Sequence, residues 1–375
     1  MIFLANLARV VFAPLLGEFI AVFAIGEGTA GLIATLAWLG SALLRIPTGW
    51  LLTRVPRHRV ILATGAVLTV AAALTASATS IPTLGVGALC MGLSSGAYFV
   101  AANPLVSELY PDRVGWALGV HGMASQVAAV AAAPLVTLVL TLFVDWRVVF
   151  VCIAVAAAVV TLVLSVAART TELPDAGAAD RDIVGAVRAE WRIVLLTVVV
   201  VGATGFVWQG LFNFYELYMG TKGIGDATAK NLLTVIFAAG VPAFFVSGRL
   251  ADRLPRVPYI LAIISAFTVS VLLLTVTRGL VPVVALTAVI GYVVHSLFPA
   301  IDTYLLDSLP GETRASAYSW YSGGMMLVQA TGSSVVGALR ESGLAYDVIF
   351  TRLALALGVV VACLLALYRT DRLPS

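Results

Sequence analysis

The chain has 375 residues, of which 61% are hydrophobic and 11% charged, with a mean hydropathy of +1.04 and a formal net charge of +3. A soluble domain carries roughly 25% charged residues, so this composition excludes an ordinary soluble fold and places most of the chain in a bilayer. The charge is too small for a nucleic-acid-binding surface, and Cys90, Cys152 and Cys363 lie inside apolar runs without metal-ligand or CxxC spacing.

In chain order, breaks at Gly, Pro and charge clusters divide the sequence into twelve apolar spans: 2–25, 28–54, 58–79, 82–109, 114–143, 146–168, 192–219, 226–251, 257–277, 280–307, 313–340 and 345–369. The first run starts at Ile2 with no basic region before it, and is read as a retained span rather than a cleaved signal. Residues 169–191 are the one long polar stretch, a linker with a short surface helix expected near 181–190. The reading is an all-α integral membrane protein, with a six-helix bundle over 1–168, the linker, and a second bundle over 192–375. Arginines gather in the turns after spans 2, 4, 6, 8 and 10. The opposite turns hold only Arg147, Lys222, Lys230, Arg278, Arg340 and Arg352. The positive-inside rule then predicts both termini in the cytoplasm of a multi-pass cell-membrane protein.

The halves are copies. Adding 199 carries Gly49 to Gly248, Arg54 to Arg253, Asn103 to Asp302, Glu108 to Asp307 and Pro111 to Pro310; "DWRVVF" (145–150) and "AYDVIF" (345–350) match at 200. Both copies start on the same side, which makes them parallel repeats. Each carries a charged turn after its second span, "GWLLTRVPRHR" (49–59) and "GRLADRLPRVP" (248–258).

Those turns resemble the Gly-x-Leu-x-Asp-Arg-x-Gly-Arg-(Arg/Lys) loop of the major facilitator superfamily of secondary transporters, over essentially the whole chain. Gly248, Leu250, Asp252, Arg253 and Arg256 fit the pattern, with Pro255 in place of Gly. Gly49, Leu51, Arg54, Arg57 and Arg59 fit it with Thr53 in place of Asp. The resemblance implies two bundles, a central substrate cavity lined by spans 1, 4, 7 and 10, alternating access, and a cytoplasmic latch. The latch residues are Gly49, Arg54, Glu108, Gly248, Asp252, Arg253 and Asp307, with the glycines allowing close helix approach and the arginines free to pair with the acids ending spans 4 and 10. A topology-anchoring role for the arginines alone is the competing reading. The Thr53/Asp252 difference predicts an asymmetric latch.

Polar residues inside spans are the substrate candidates. Span 1 offers Asn6 and Arg9 on one face, Arg9 roughly 10 Å from the span's start by helix rise. Span 2 offers Arg45. Span 7 offers Gln209, Asn213 and Glu216 on one face, and span 10 offers Tyr292, His295 and Asp302. Arg9, Arg45, Gln209, Asn213, Tyr292 and His295 are assigned to substrate, and Asp302 and Glu216 to coupling. Arginine does not readily shed its charge, so Arg9 and Arg45 need an acid or an anion, and an Arg9–Asp302 pair is one expectation. Snorkelling of both arginines to the interface, and a packing role for His295, are the alternatives.

"GSALLRIPTGW" (40–50) also resembles span 2 of the nitrate/nitrite porter family. That family's second arginine falls here on Phe244, and its Gly-Asn-rich stretches are absent, so an organic carboxylate fits better than nitrate. Drug antiporters of the superfamily carry Gly-Pro and a Gly pair in span 5, where this chain has only Ala133-Pro134. "GLSSG" (92–96) matches a nucleophile elbow formally, but sits inside a helical span, where Gly92 and Gly96 make a packing face. No phosphate loop or dinucleotide fingerprint occurs, so neither an enzyme nor an ATP-driven pump is expected. The expected partners are a small anionic solute, a coupling ion (a proton), and lipid; no cofactor, metal or nucleic acid is expected, and the chain is read as a monomer. An exporter of lipophilic or drug-like compounds and a non-transporting sensor are the other readings.

Overall fold

The computed structural model describes residues 1–171, 173, 183–310 and 313–373. Its described residues are almost entirely helical, as hydrocarbon demands of a backbone that must satisfy its own hydrogen bonds. The helices are α1 (Ile2–Val10), α2 (Leu16–Phe23), α3 (Glu27–Leu43), α4 (Arg45–Leu51), α5 (Arg57–Ala76), α6 (Ile81–Leu109), α7 (Val114–Phe143), α8 (Arg147–Thr170), α9 (Ile183–Ala189), α10 (Trp191–Asn213), α11 (Tyr215–Thr221), α12 (Asp226–Ala251), α13 (Arg256–Val276), α14 (Leu280–Ser308), α15 (Arg314–Ala330), α16 (Gly332–Glu341) and α17 (Tyr346–Arg369). Contacts divide the chain into two units: Met1–Ile25 with Leu32–Arg181, and Gly26–Gly31 with Asp182–Ser375. Of the expected linker, residues 174–182 lie outside the described residues, while α9 packs on α15 inside the second unit.

Nine of these helices among the described residues are long and apolar enough to span a membrane, α3 with α4 (Glu27–Leu51) makes a tenth such span, and Ile2–Val10 with Ala13–Phe23 makes an eleventh, bent by 44° at the break between them. The expected span 11 is two helices, α15 and α16, that meet at Thr331 and are too rich in Gly, Ser and Tyr to qualify on hydropathy. Close packing accounts for that composition. A Cβ at Gly332 would run into the Phe206 carbonyl and one at Gly324 into Val198, and Ser333 is fully buried.

The repeat is structural as well as sequential. Helix starts recur at an offset of 199: Leu16 and Tyr215, Glu27 and Asp226, Arg57 and Arg256, Ile81 and Leu280. So do the left-handed caps. Ala24 (φ 48°) and Val144 (φ 56°) in the first unit correspond to Gly223 (φ 78°) and Gly343 (φ 93°) in the second. The closest helix crossings correspond too: a Cβ at Gly92 would strike the Ala37 carbonyl, and one at Gly291 the Ile236 carbonyl. Gly96 meets the Ser41 backbone in the same way, so "GLSSG" is a helix-packing surface. In the last helix of each unit the matching residues stand 200 apart instead. Phe19 packs edge-on to Trp146, and Tyr218 packs on Tyr346, a pairing that follows an offset of 200 from Trp146.

The latch glycines depart from expectation. Gly49 and Gly248 have no neighbouring atom within 4 Å of a built Cβ among the described residues, so neither brings two helices together here. Close approach occurs at other glycines, among them Gly40, Gly92, Gly96, Gly291 and Gly332, while Gly49 sits in the short α4 beyond the break at Leu44 and Gly248 in the last turn of α12.

Candidate functional site

In the first unit the site is built around Arg9. Its side chain is 6% exposed at the end of α1. One guanidinium nitrogen donates to Asn6 Oδ1 at 2.7 Å, another to Ser41 Oγ at 3.2 Å, and Nε has no hydrogen-bond partner. The guanidinium lies over Trp38 and over Phe99, 4.7 Å from each ring centroid. Asn6 is itself fixed, donating to the Ser125 carbonyl at 2.8 Å. Trp38 and Ser41 lie one helical turn apart on α3 and so present one face to Arg9. Every partner of Arg9 is neutral, and Arg45 at the start of α4 repels it. A buried guanidinium without a carboxylate is costly, and an anion would supply the missing charge.

The same positions in the second unit carry a different chemistry. The offset of 199 takes Arg9 to Trp208, Trp38 to Phe237, Ser41 to Gly240, Arg45 to Phe244, Gly96 to His295 and Phe99 to Phe298. His295 packs against Trp208, Phe237 and Phe244 at centroid distances of 5.7, 5.5 and 5.9 Å. It fits there because Gly240 has no side chain, since a Cβ at that position would overlap the ring. The imidazole Nδ1 is bonded to the Gly291 carbonyl at 2.7 Å. Duplication has thus given a cationic, hydroxylic cluster in one unit and an aromatic, imidazole-bearing one in the other.

The remaining span candidates are distributed as follows. Asn213 Nδ2 donates to Ser333 Oγ at 2.9 Å and to the Gln209 carbonyl at 3.0 Å. Gln209 Nε2 and Asn213 Oδ1, both buried, have no hydrogen-bond partner. The two amides therefore keep unused donor and acceptor capacity. The helix breaks at Phe214, and Glu216 sits in α11, paired with Lys230 of α12 at 3.4 Å with both side chains about one-tenth exposed or less. Asp302 accepts from Tyr318 at 3.0 Å, within its own unit, just as Arg9 is engaged within its own. Tyr292 is half-buried on α14.

At the arginine-rich end, the acids that close spans 4 and 10 are paired, but not with Arg54 and Arg253. Arg57 meets Glu108 at 2.9 Å, and Arg256 meets Asp307. Arg54 instead lies over Trp50, 4.1 Å from the ring centroid. Asp252 and Arg253 are exposed and make no side-chain bond among the described residues, whereas Thr53 Oγ1 donates to the Trp50 carbonyl at 2.8 Å. Both Arg57 and Arg256 stand in the charged motif, and the 199 offset relates them as it relates the acids. That shared offset is the signal that identifies them.

At the other end of the second unit lie two charge clusters that hydropathy patterning does not reveal. Glu27 takes two bonds from Arg340, at 3.1 and 3.2 Å, and one from Tyr346. Asp347 receives Tyr218 at 2.5 Å, Arg278 at 2.6 Å and Lys222 at 3.1 Å. Burial lowers the Lys222 ammonium below its usual value, against the opposing pull of Asp347.

Comparison with known proteins agrees with this architecture. The family model described as Major Facilitator Superfamily matches residues 1–281 and 197–375. No curated protein matches the sequence. Among solved structures, the chain is similar to a bacterial homologue of the human lysosomal transporter Spinster (18% identity, 98% of this chain and 94% of that one, TM-score 0.77). It is also similar to the nucleoside transporter NupG (10%, 98% and 98%, 0.79) and to a POT family transporter solved with a thioalcohol-conjugated peptide (14%, 98% and 95%, 0.75). At such identities these likenesses establish the fold alone. The duplicated helices, the paired charged turns and a family match over the whole length together make this chain a member of the Major Facilitator Superfamily, a multi-pass membrane transporter and not an enzyme.

Proposed function

We propose that the chain is a secondary active transporter for a small organic anion, working by alternating access with both termini in the cytoplasm of the cell membrane and coupled to a proton or other ion gradient. The observation that carries this reading is Arg9: a buried cation with a wholly neutral shell of Asn6, Ser41, Trp38 and Phe99. An anionic group on the substrate takes the place of the absent carboxylate, and Arg45 adds to the positive potential. Asp302 and Glu216 are the groups assigned to coupling.

A second reading has its own support. The Trp208, Phe237, Phe244 and His295 cluster suits a flat, lipophilic cargo, as an exporter of drug-like compounds would take. An aryl carboxylate satisfies both chemistries. Thermal-shift screening of purified protein separates the readings, because a ligand at 100 times its Kd stabilises by about 2.7 kcal/mol. Carboxylates that raise the melting temperature of the native protein and not of Arg9→Gln support the anion reading. Stabilisation by lipophilic cations alone overturns it. Flux of the hit into proteoliposomes, with and without a pH gradient, distinguishes a coupled transporter from a facilitator or a sensor.

A further inference from the structure

We propose that a groove on the first unit, along α4, α5 and α6, binds one anionic phospholipid, with an acyl chain along Ala63 and Val67 and the phosphate on Arg59 and Arg54. The groove has a volume of 550 Å³ and is lined by Pro47, Trp50, Arg59, Ala63 and Val67 among others. It starts at the helix break at Leu44, itself a lining residue.

Its walls suit hydrocarbon and not a polar solute. Of the three hydroxyl residues that line it, Thr48, Thr64 and Ser94, two are already committed: Ser94 Oγ donates to the Thr64 carbonyl and Thr64 Oγ1 to the Ile61 carbonyl, each at 2.7 Å. Its length suits one leaflet. From Arg59 to Val67 along α5 is about 12 Å by helix rise, close to the ~15 Å half-thickness of a hydrocarbon core. Its mouth suits an anion. Arg57 is neutralised by Glu108, which leaves Arg59 and Arg54 exposed and outside any ion pair among the described residues. Arg54 rests on Trp50, a lining residue of the kind that sits at headgroup level.

The second unit lacks these features. The offset takes Arg59 to Pro258 and Thr53 to Asp252, and the rim crevice there is lined by Asp252 beside Arg253 and Arg256. The loss of that carboxylate at Thr53 therefore removes a repulsive charge from the phosphate position. Thr53 is the residue that makes the turn fit a lipid headgroup.

Native mass spectrometry of detergent-purified, delipidated protein reloaded with phosphatidylglycerol or phosphatidylcholine of identical chains tests the proposal. One phosphatidylglycerol is expected to be retained in preference to phosphatidylcholine. Arg59→Ala should reduce its retention about fivefold, the effect of one basic residue near an anionic headgroup, and Arg54→Ala/Arg59→Ala further, while Arg59→Lys keeps it. Ala63→Trp should block retention with both arginines present, and Thr53→Asp should weaken it. A monodisperse elution profile and an unchanged melting temperature establish that each variant is folded. Equal retention of the two lipids, undiminished retention in the double arginine variant, or displacement by soluble glycerol phosphate would overturn the proposal.

Discussion

Arg57, in the first turn of α5, reaches back 2.9 Å to Glu108 in the last turn of α6. The pair ties together two helices that already pack along their length, and it recurs as Arg256 and Asp307 in the second unit. The two copies differ in solvent access. The Arg57 and Glu108 side chains are 11% and 34% exposed, against 46% and 47% for Arg256 and Asp307. Exposed ion pairs contribute ~0.2–1 kcal/mol. Glu108→Gln should therefore cost about 1 kcal/mol and Asp307→Asn less than half of that, by thermal unfolding. Arg54→Ala, which removes only a contact with Trp50, should leave the melting temperature close to native. A larger loss from Asp307→Asn than from Glu108→Gln would show that exposure does not set the difference.

Arg9 predicts a separation of stability from transport. Removing a buried charge that has only neutral partners relieves a desolvation cost. Arg9→Met should hold or raise the melting temperature of the ligand-free protein while abolishing anion-induced stabilisation and uptake. Arg9→Lys keeps the charge but not the forked geometry that reaches Asn6 and Ser41 together, and should retain only part of the uptake. A destabilised Arg9→Met would mean that the guanidinium is a structural residue.

Much of the fold was legible because the bilayer imposes a single period. Runs of apolar residues near 20 long can only be helices there, so the expected spans 114–143 and 226–251 coincide with α7 and α12. The breaks at Val11–Phe12, Leu44, Phe214 and Thr331 were not legible. Hydropathy is blind to a kink within an apolar run, and the breaks put Arg45 at a helix start and part Glu216 from Asn213. The polar residues on spans could be listed from sequence, but their partners could not. Trp38 and Phe99 lie 29 and 90 positions from Arg9, and only the fold brings their rings to it. Glu27 and Arg340 are separated by 313 positions with no pattern linking them.

Val144 and Gly343 close corresponding helices with the same left-handed backbone, φ 56° and φ 93°. A β-branched residue is poorly suited to that conformation, which costs an L-residue roughly 1–2 kcal/mol. Val144 is 86% exposed, so its side chain returns little by packing. Val144→Gly should stabilise the protein by about 1 kcal/mol, and Gly343→Val should destabilise it by a similar or larger amount. Circular dichroism melts of the two variants in the same detergent check the sign.

Glu216 and Lys230 form the most enclosed ion pair among the described residues, with side chains 8% and 10% exposed at 3.4 Å. Breaking a buried pair is more damaging than replacing it, because the surviving charge is left in a medium that solvates it poorly. Glu216→Gln should cost ~3–5 kcal/mol, enough to lower expression visibly. Glu216→Gln combined with Lys230→Met should recover most of that loss. The double variant also isolates the coupling role assigned to Glu216, since it restores the fold without restoring a carboxylate. If the refolded double variant still accumulates substrate against its gradient with native pH dependence, Glu216 carries no coupling proton and its role is confined to holding α11 against α12. If accumulation is lost while binding persists, the carboxylate itself is the coupling group.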